Sequence, residues 1–136
     1  MIALAGIGFW LIVGDGEPTA TFDGEIASYS GPESFEAGNV TFTFDATEYG
    51  DRVTFVVARM SDESLTMADL EAYAADNPGS QVADFVATSN VTYVNDEVVE
   101  KEIALTEGTW SVWANTAPDD TNEGHPAVIF EVTAAG

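Results

Sequence analysis

Between Thr19 and Thr133 short runs of alternating apolar and polar residues are divided by Gly, Pro, Asn and Asp. A period of two puts successive side chains on opposite faces of a strand. The pattern predicts strands over residues 19–22 and 25–30, split by Asp23-Gly24, a favourable hairpin turn. Ser30-Gly31-Pro32 breaks the chain. Residues 39–46 follow, with Val40, Phe42 and Phe44 facing one way and Thr41 and Thr43 the other. After a polar turn at 47–51, residues 52–60 read RVTFVVARM, a strand with apolar residues on both faces. Later strands are expected over 85–94, 98–105, 109–114 and 126–133. In the 98–105 strand Val99, Lys101, Ile103 and Leu105 share a phase. In the 109–114 strand Trp110, Val112 and Ala114 share one.

One segment changes period. Thr66 is a good N-cap, Asp69 stands three residues on as in a capping box, and Asn77-Pro78-Gly79 stops the run. Met67, Leu70, Tyr73 and Ala74 give the apolar stripe of a helix over about 66–76, expected to cap one end of the fold. Short strands with turn signals every 8–12 residues predict an all-β, two-sheet sandwich with one inserted helix. The chain of 136 residues fits one domain. Its hydrophobic content of 46% is enough for a core without staples. The folded domain is expected over 19–136, after an apolar segment and linker over 1–18.

That apolar start reads MIALAGIGFWLIV over residues 1–13 and carries no charge. It is shorter than the ~20 residues a spanning helix needs. It matches the apolar region of a secretion signal or the remnant of a membrane anchor, but lacks a basic flank. The alternative is an assembly element that packs on a neighbouring subunit.

Charge narrows the partners. Lys and Arg number 3 against 24 Asp and Glu, a formal net charge of -21. This surface repels phosphate backbones and anionic lipid head groups, so nucleic acid is not an expected partner. Two origins are compatible with it: a salt-rich habitat, and an ordinary acidic secreted protein. Cysteine is absent. That excludes thiol nucleophiles, disulfides, thiolate zinc sites and blue copper.

The last third resembles the cupredoxin family, the plastocyanin and azurin group. Gly108-Thr109-Trp110-Ser111-Val112-Trp113-Ala114 matches the family's G-x-Y-x-F-x-C penultimate strand. The loop 115–125 occupies the ligand-loop place, and Val128-Ile129-Phe130-Glu131-Val132 matches the closing strand. Upstream, Phe35-Glu36-Ala37-Gly38-Asn39-Val40-Thr41-Phe42-Thr43-Phe44 resembles an earlier strand of the same fold, and residues 52–60 follow it as the strand bearing the first His does. The resemblance implies a Greek-key cupredoxin-like sandwich. It does not carry the copper site, which needs two His, a Cys thiolate and a weak axial ligand. The Cys position falls on Ala114, the region of the first His is Gly50-Asp51-Arg52, and His125 is the only His. No metal and no cofactor are therefore expected.

Other candidates are weaker. Asp119, Asp120, Asn122 and Glu123, beside His125, bring calcium-type oxygen ligands into one loop, although the spacing is not that of an EF-hand; a solvated acidic loop explains them as well. Trp110 and Trp113 should face opposite ways, one in the core. The other, with Tyr49 or Tyr93, would make an aromatic surface for a carbohydrate or protein partner, unless it is buried too. Asn39-Val40-Thr41 and Asn90-Val91-Thr92 are glycosylation acceptor patterns that also arise by chance in Thr-rich strands. No nucleophile elbow or phosphate loop occurs, and catalysis is not expected. Two roles follow: a secreted or surface-anchored binding module, or a structural subunit assembled through residues 1–13, with a homo-oligomer as one outcome.

Overall fold

The computed structural model describes residues 17–76, 86–116 and 123–135. Among these, nine strands and one helix form a two-sheet sandwich. The strands are β1 (Thr19–Phe22), β2 (Ala27–Ser30), β3 (Ser34–Glu36), β4 (Gly38–Asp45), β5 (Arg52–Met60), β6 (Val86–Asn95), β7 (Val98–Leu105), β8 (Gly108–Thr116) and β9 (Glu123–Thr133). Helix α1 (Met67–Asp76) joins β5 to β6. The first sheet has the order β2-β1-β4-β7 and the second β3-β9-β8-β5-β6. The chain crosses between sheets before β3, β4, β5, β7 and β8. Parallel pairing of β1 with β4 and of β3 with β9 closes the Greek key, and the other pairs are antiparallel.

The alternation read from the sequence decides the core. Phe42 and Phe44 on β4 meet Val53, Phe55 and Val57 on β5, and Trp110, Val112 and Ala114 on β8 complete the layer between the sheets. Phe44 stacks on Phe55 at 5.0 Å, and Trp110 on Phe130 at 6.3 Å. Trp110 Nε1 donates to the carbonyl of Thr106 at 2.8 Å, so the indole is buried without an orphaned donor.

Helix α1 begins as predicted. Thr66 N donates to Asp69 Oδ2 at 2.8 Å, and Asp69 N donates back to Thr66 Oγ1 at 3.3 Å, the reciprocal pair of a capping box. Its position differs from the expected end cap. Leu70 is buried with Val56, Ala58, Met60 and Trp113, all on the outer phase of β5 and β8. The helix therefore covers the outer face of the second sheet. That is why residues 52–60 are apolar on both faces: one faces the first sheet and the other faces α1.

β7 shows how a sheet edge is kept from mispairing. Lys101 pairs in register with Phe42, on the core-facing phase, yet remains exposed because β7 is the outermost strand. A charge on the inward phase of an edge strand discourages a further strand from adding.

The break at Ser30-Gly31-Pro32 is closed by Tyr29, whose hydroxyl donates to the Pro32 carbonyl. Burial, and to a smaller extent the Glu33 carboxylate, holds this hydroxyl well above the ordinary phenol range. In the unfolded chain the phenol ionises near pH ~10, whereas the folded state keeps the proton to higher pH. The folded pKa is raised, so this contribution is complete below the unfolded pKa and is lost as pH climbs toward the folded one. Wild type should lose more thermal stability than Tyr29→Phe as pH is raised from about 9 to about 11. Melting curves that fall in parallel would contradict the role given to this hydroxyl.

Candidate binding cleft

The cleft is built from a turn, a helix face and the start of a strand. Asp23 Oδ1 accepts from the backbone N–H of Ile26 at 2.8 Å and of Glu25 at 2.9 Å. These two bonds, that from Ile26 first, hold the Asp23 carboxyl below its ordinary range. The turn so fixed lifts Glu25 and Ile26 above the sandwich, and Ile26 remains 64% exposed. Opposite lie Met67, Glu71 and Ala74 of α1, and His125, Pro126 and Ala127 of β9 form the third wall. The cleft is open to solvent, with a volume of about 480 Å³, within the range of small-ligand sites. Its lining mixes apolar Ile26, Met67, Ala74 and Pro126 with Glu25, Glu71 and His125.

His125 reaches this wall through an irregularity. The β8–β9 register shifts between Val112 and Trp113: Val112 lies opposite Val128, but Trp113 lies opposite Pro126. Ala127 is the extra residue of a bulge, which also admits a proline that has no N–H for the ladder. The shift places His125 opposite Ala114. The imidazole packs on Phe22 at 4.8 Å, with the rings tilted by 40°. Phe22 is held on its other side by Tyr49, edge-on at 5.0 Å.

The sequence-predicted residues separate into groups. Trp110 and Trp113 do face opposite ways, but both are buried, at 2% and 0% exposure. Trp110 belongs to the inter-sheet core and Trp113 lies beneath α1. The exposed aromatic surface is therefore not formed by either tryptophan. Tyr49 is half-buried against Phe22, and Tyr93 stands alone of the four at the surface, 80% exposed on β6. The expected loop over 115–125 is shorter than predicted, because β8 runs on to Thr116 and β9 starts at Glu123. Glu123 and His125 are thus strand residues. Asp119, Asp120 and Asn122 lie outside the described residues, as does the apolar segment 1–13. Asn39 is exposed at the start of β4, whereas Asn90 is half-buried on β6. What the sequence reading missed is the convergence of Glu25, Glu71 and His125, which lie far apart in the chain; the bulge at Ala127 had one local sign, the proline at 126.

At the metal position of the resembled family the donor set does not fit copper. Ala114 is fully buried in the middle of the second sheet, between Phe55 of β5 and His125 of β9. A methyl group stands where the thiolate would be. Arg52, near the place of the first imidazole, is exposed opposite Asn95. One imidazole without a thiolate cannot make a blue-copper centre.

The expected fold class is what the structure shows: an all-β, cupredoxin-like Greek-key sandwich of two sheets with one short helix. No family model matches the chain, and no curated protein matches it significantly. Among solved structures, that of Na-dithionite reduced auracyanin from the photosynthetic bacterium Roseiflexus castenholzii is similar, with 18% identity, 87% of this chain and 95% of that chain covered, and a TM-score of 0.42.

Proposed function

We propose that this chain is a non-catalytic, extracytoplasmic binding module, secreted or held at the cell surface, that keeps a cupredoxin-like frame without its copper. The observation that carries the reading is the cleft between the Asp23 turn, α1 and β9. Its β9 wall includes His125, which lies opposite Ala114 in the β8–β9 register. An open cleft that mixes apolar side chains with two glutamates suits a small ligand, or the tip of a larger one, with an apolar body and a cationic group. The acidic exterior raises the local concentration of such cations. The apolar residues 1–13 support export or anchoring, and the dense negative charge supports a solvated life outside the cell.

Phenethylamine, an apolar ring bearing an ammonium group, is a suitable probe. In heteronuclear NMR its addition should shift the resonances of Ile26, Met67 and His125 most. The shifts should weaken at least several-fold in Glu25→Gln/Glu71→Gln. Shifts spread evenly over the acidic surface, or unchanged in the double variant, would show that the cleft is not a site. The same sample loaded with Cu²⁺ should develop no intense visible thiolate band.

A further inference from the structure

Sheet edges invite strand addition unless they are short, charged or covered. Of the four edges here, β2 has four residues and β3 has three. β7 is longer but exposes Glu100, Lys101 and Glu102 in succession. Among the described residues β6 is neither short, charged nor covered, and its one irregularity is the bulge at Ala87 near its start. It runs for ten residues, from Val86 to Asn95, without a charged side chain. It exposes Val91 and Tyr93 on one face, and among the described residues only β5 pairs with it.

We propose that β6 pairs antiparallel with β6 of a second copy about a two-fold axis at Thr92, joining the two second sheets into one. This goes beyond the binding reading and does not depend on the cleft. The composition of the edge selects the occupant: with no charged side chain of its own, β6 offers a charged strand nothing to pair with. The partner that matches is an equally long and uncharged edge, and a second copy presents it. Identical edges paired antiparallel form an isologous interface that closes at the dimer.

The axis at Thr92 follows from the side chains. Even-numbered spacing keeps the outer faces together, because a slip of one residue would set exposed positions against buried ones. With Thr92 on the axis, Val91 lies opposite the partner's Tyr93 and Tyr93 opposite the partner's Val91. These are two aromatic–β-branched pairs of the kind that stabilise sheets. Asp96 then falls beside the uncharged Thr88 of the second copy, so no carboxylate faces another within the regular part of the strand. Thr92 supplies an independent observation. Its Oγ1 is buried and has no hydrogen-bond partner among the described residues. A Thr–Thr pair across the axis would give this hydroxyl one.

The net charges of two copies oppose association, and salt shortens the range of that repulsion from about 10 Å at 0.1 M to about 3 Å at 1 M. Sedimentation velocity of the full chain should therefore show a dimer whose fraction rises between about 0.1 M and about 1 M NaCl. Tyr93→Lys places a charge on a side chain that is already 80% exposed, so the melting temperature of the monomer should be unchanged. Its dimer should weaken at least ten-fold. Because the chain has no cysteine, a single introduced one reports the register. Thr92→Cys should cross-link to its own copy under mild oxidation, and Asp96→Cys should not. A wild-type monomer at high salt, a Tyr93→Lys protein that associates as tightly as wild type, or cross-linking as efficient at position 96 as at 92 would each overturn the proposal.

Discussion

Trp113→Ala is expected to remove about 3–5 kcal/mol of stability, the range for truncating a buried large aromatic. The side chain is fully buried, and it is the largest member of the cluster that joins α1 to the second sheet. Its loss leaves a cavity bounded by Val56, Ala58, Met60 and Leu70. A second cost comes from Ser111, itself fully buried, whose Oγ accepts from Trp113 Nε1 at 2.9 Å. Removing the indole takes that donor away, and an orphaned buried polar group costs about 1–3 kcal/mol. Domains of this kind have roughly 5–15 kcal/mol in total, so the variant sits near the edge of folding. Urea titration gives the loss, and hydrogen exchange gives its location. The Leu70 amide, which donates to the Thr66 carbonyl at 3.1 Å, should lose protection before the amides of β4 and β5. Trp113→Phe should recover most of the packing but not the hydrogen bond. A loss below ~1 kcal/mol in Trp113→Ala, typical of a surface site, would mean that α1 does not depend on this contact.

The same residue shows where sequence reasoning stops. The period of two was sufficient to put Trp110 and Trp113 on opposite faces, and to group Phe42 with Phe44 on one face of one strand and Trp110 with Val112 on one face of another. It could not tell that the opposite face was also covered. Burial of that face depends on where α1 lies, and a capping box with a four-residue stripe fixes the start of a helix but not its docking. Had the second apolar phase of β5, formed by Val56, Ala58 and Met60, been matched to the stripe of Met67, Leu70 and Ala74, the position of α1 would have been legible. β3 was not legible as a separate strand: three residues are too few to show a period, and the strand exists because β9 offers it a parallel partner. The cleft was less legible still. Its three polar groups come from a turn, a helix and a bulged strand, and with 24 carboxylates in the chain no pair of glutamates stands out by sequence. Pro126 also misled the strand boundary, because proline normally marks a strand end, whereas here the bulge absorbs it.

Gly31→Ala should destabilise the fold by more than Gly38→Ala, although the backbone demand is nearly the same. Gly31 has φ +136° and Gly38 has φ +147°, both in a region where a Cβ is strained by about 1–3 kcal/mol. The neighbourhoods differ. A Cβ on Gly38 would meet nothing within 4 Å, whereas one on Gly31 would lie 2.8 Å from Pro18 Cα and 3.2 Å from the Tyr29 hydroxyl. Pro18 is backbone, so relief requires the chain itself to shift. The Pro18 carbonyl accepts from Thr43 N at 2.9 Å, just before β1 enters its parallel pairing with β4. Moving Pro18 therefore pulls at the seam that closes the Greek key, and overpacking of this kind adds about 1–3 kcal/mol. The difference between the two variants isolates the clash, because the conformational strain is common to both. Equal losses in urea titration would show that the 30–32 turn can relax without disturbing β1. A larger loss at Gly31, with the amide of Thr43 exchanging faster than in Gly38→Ala, would place the cost at the β1–β4 seam.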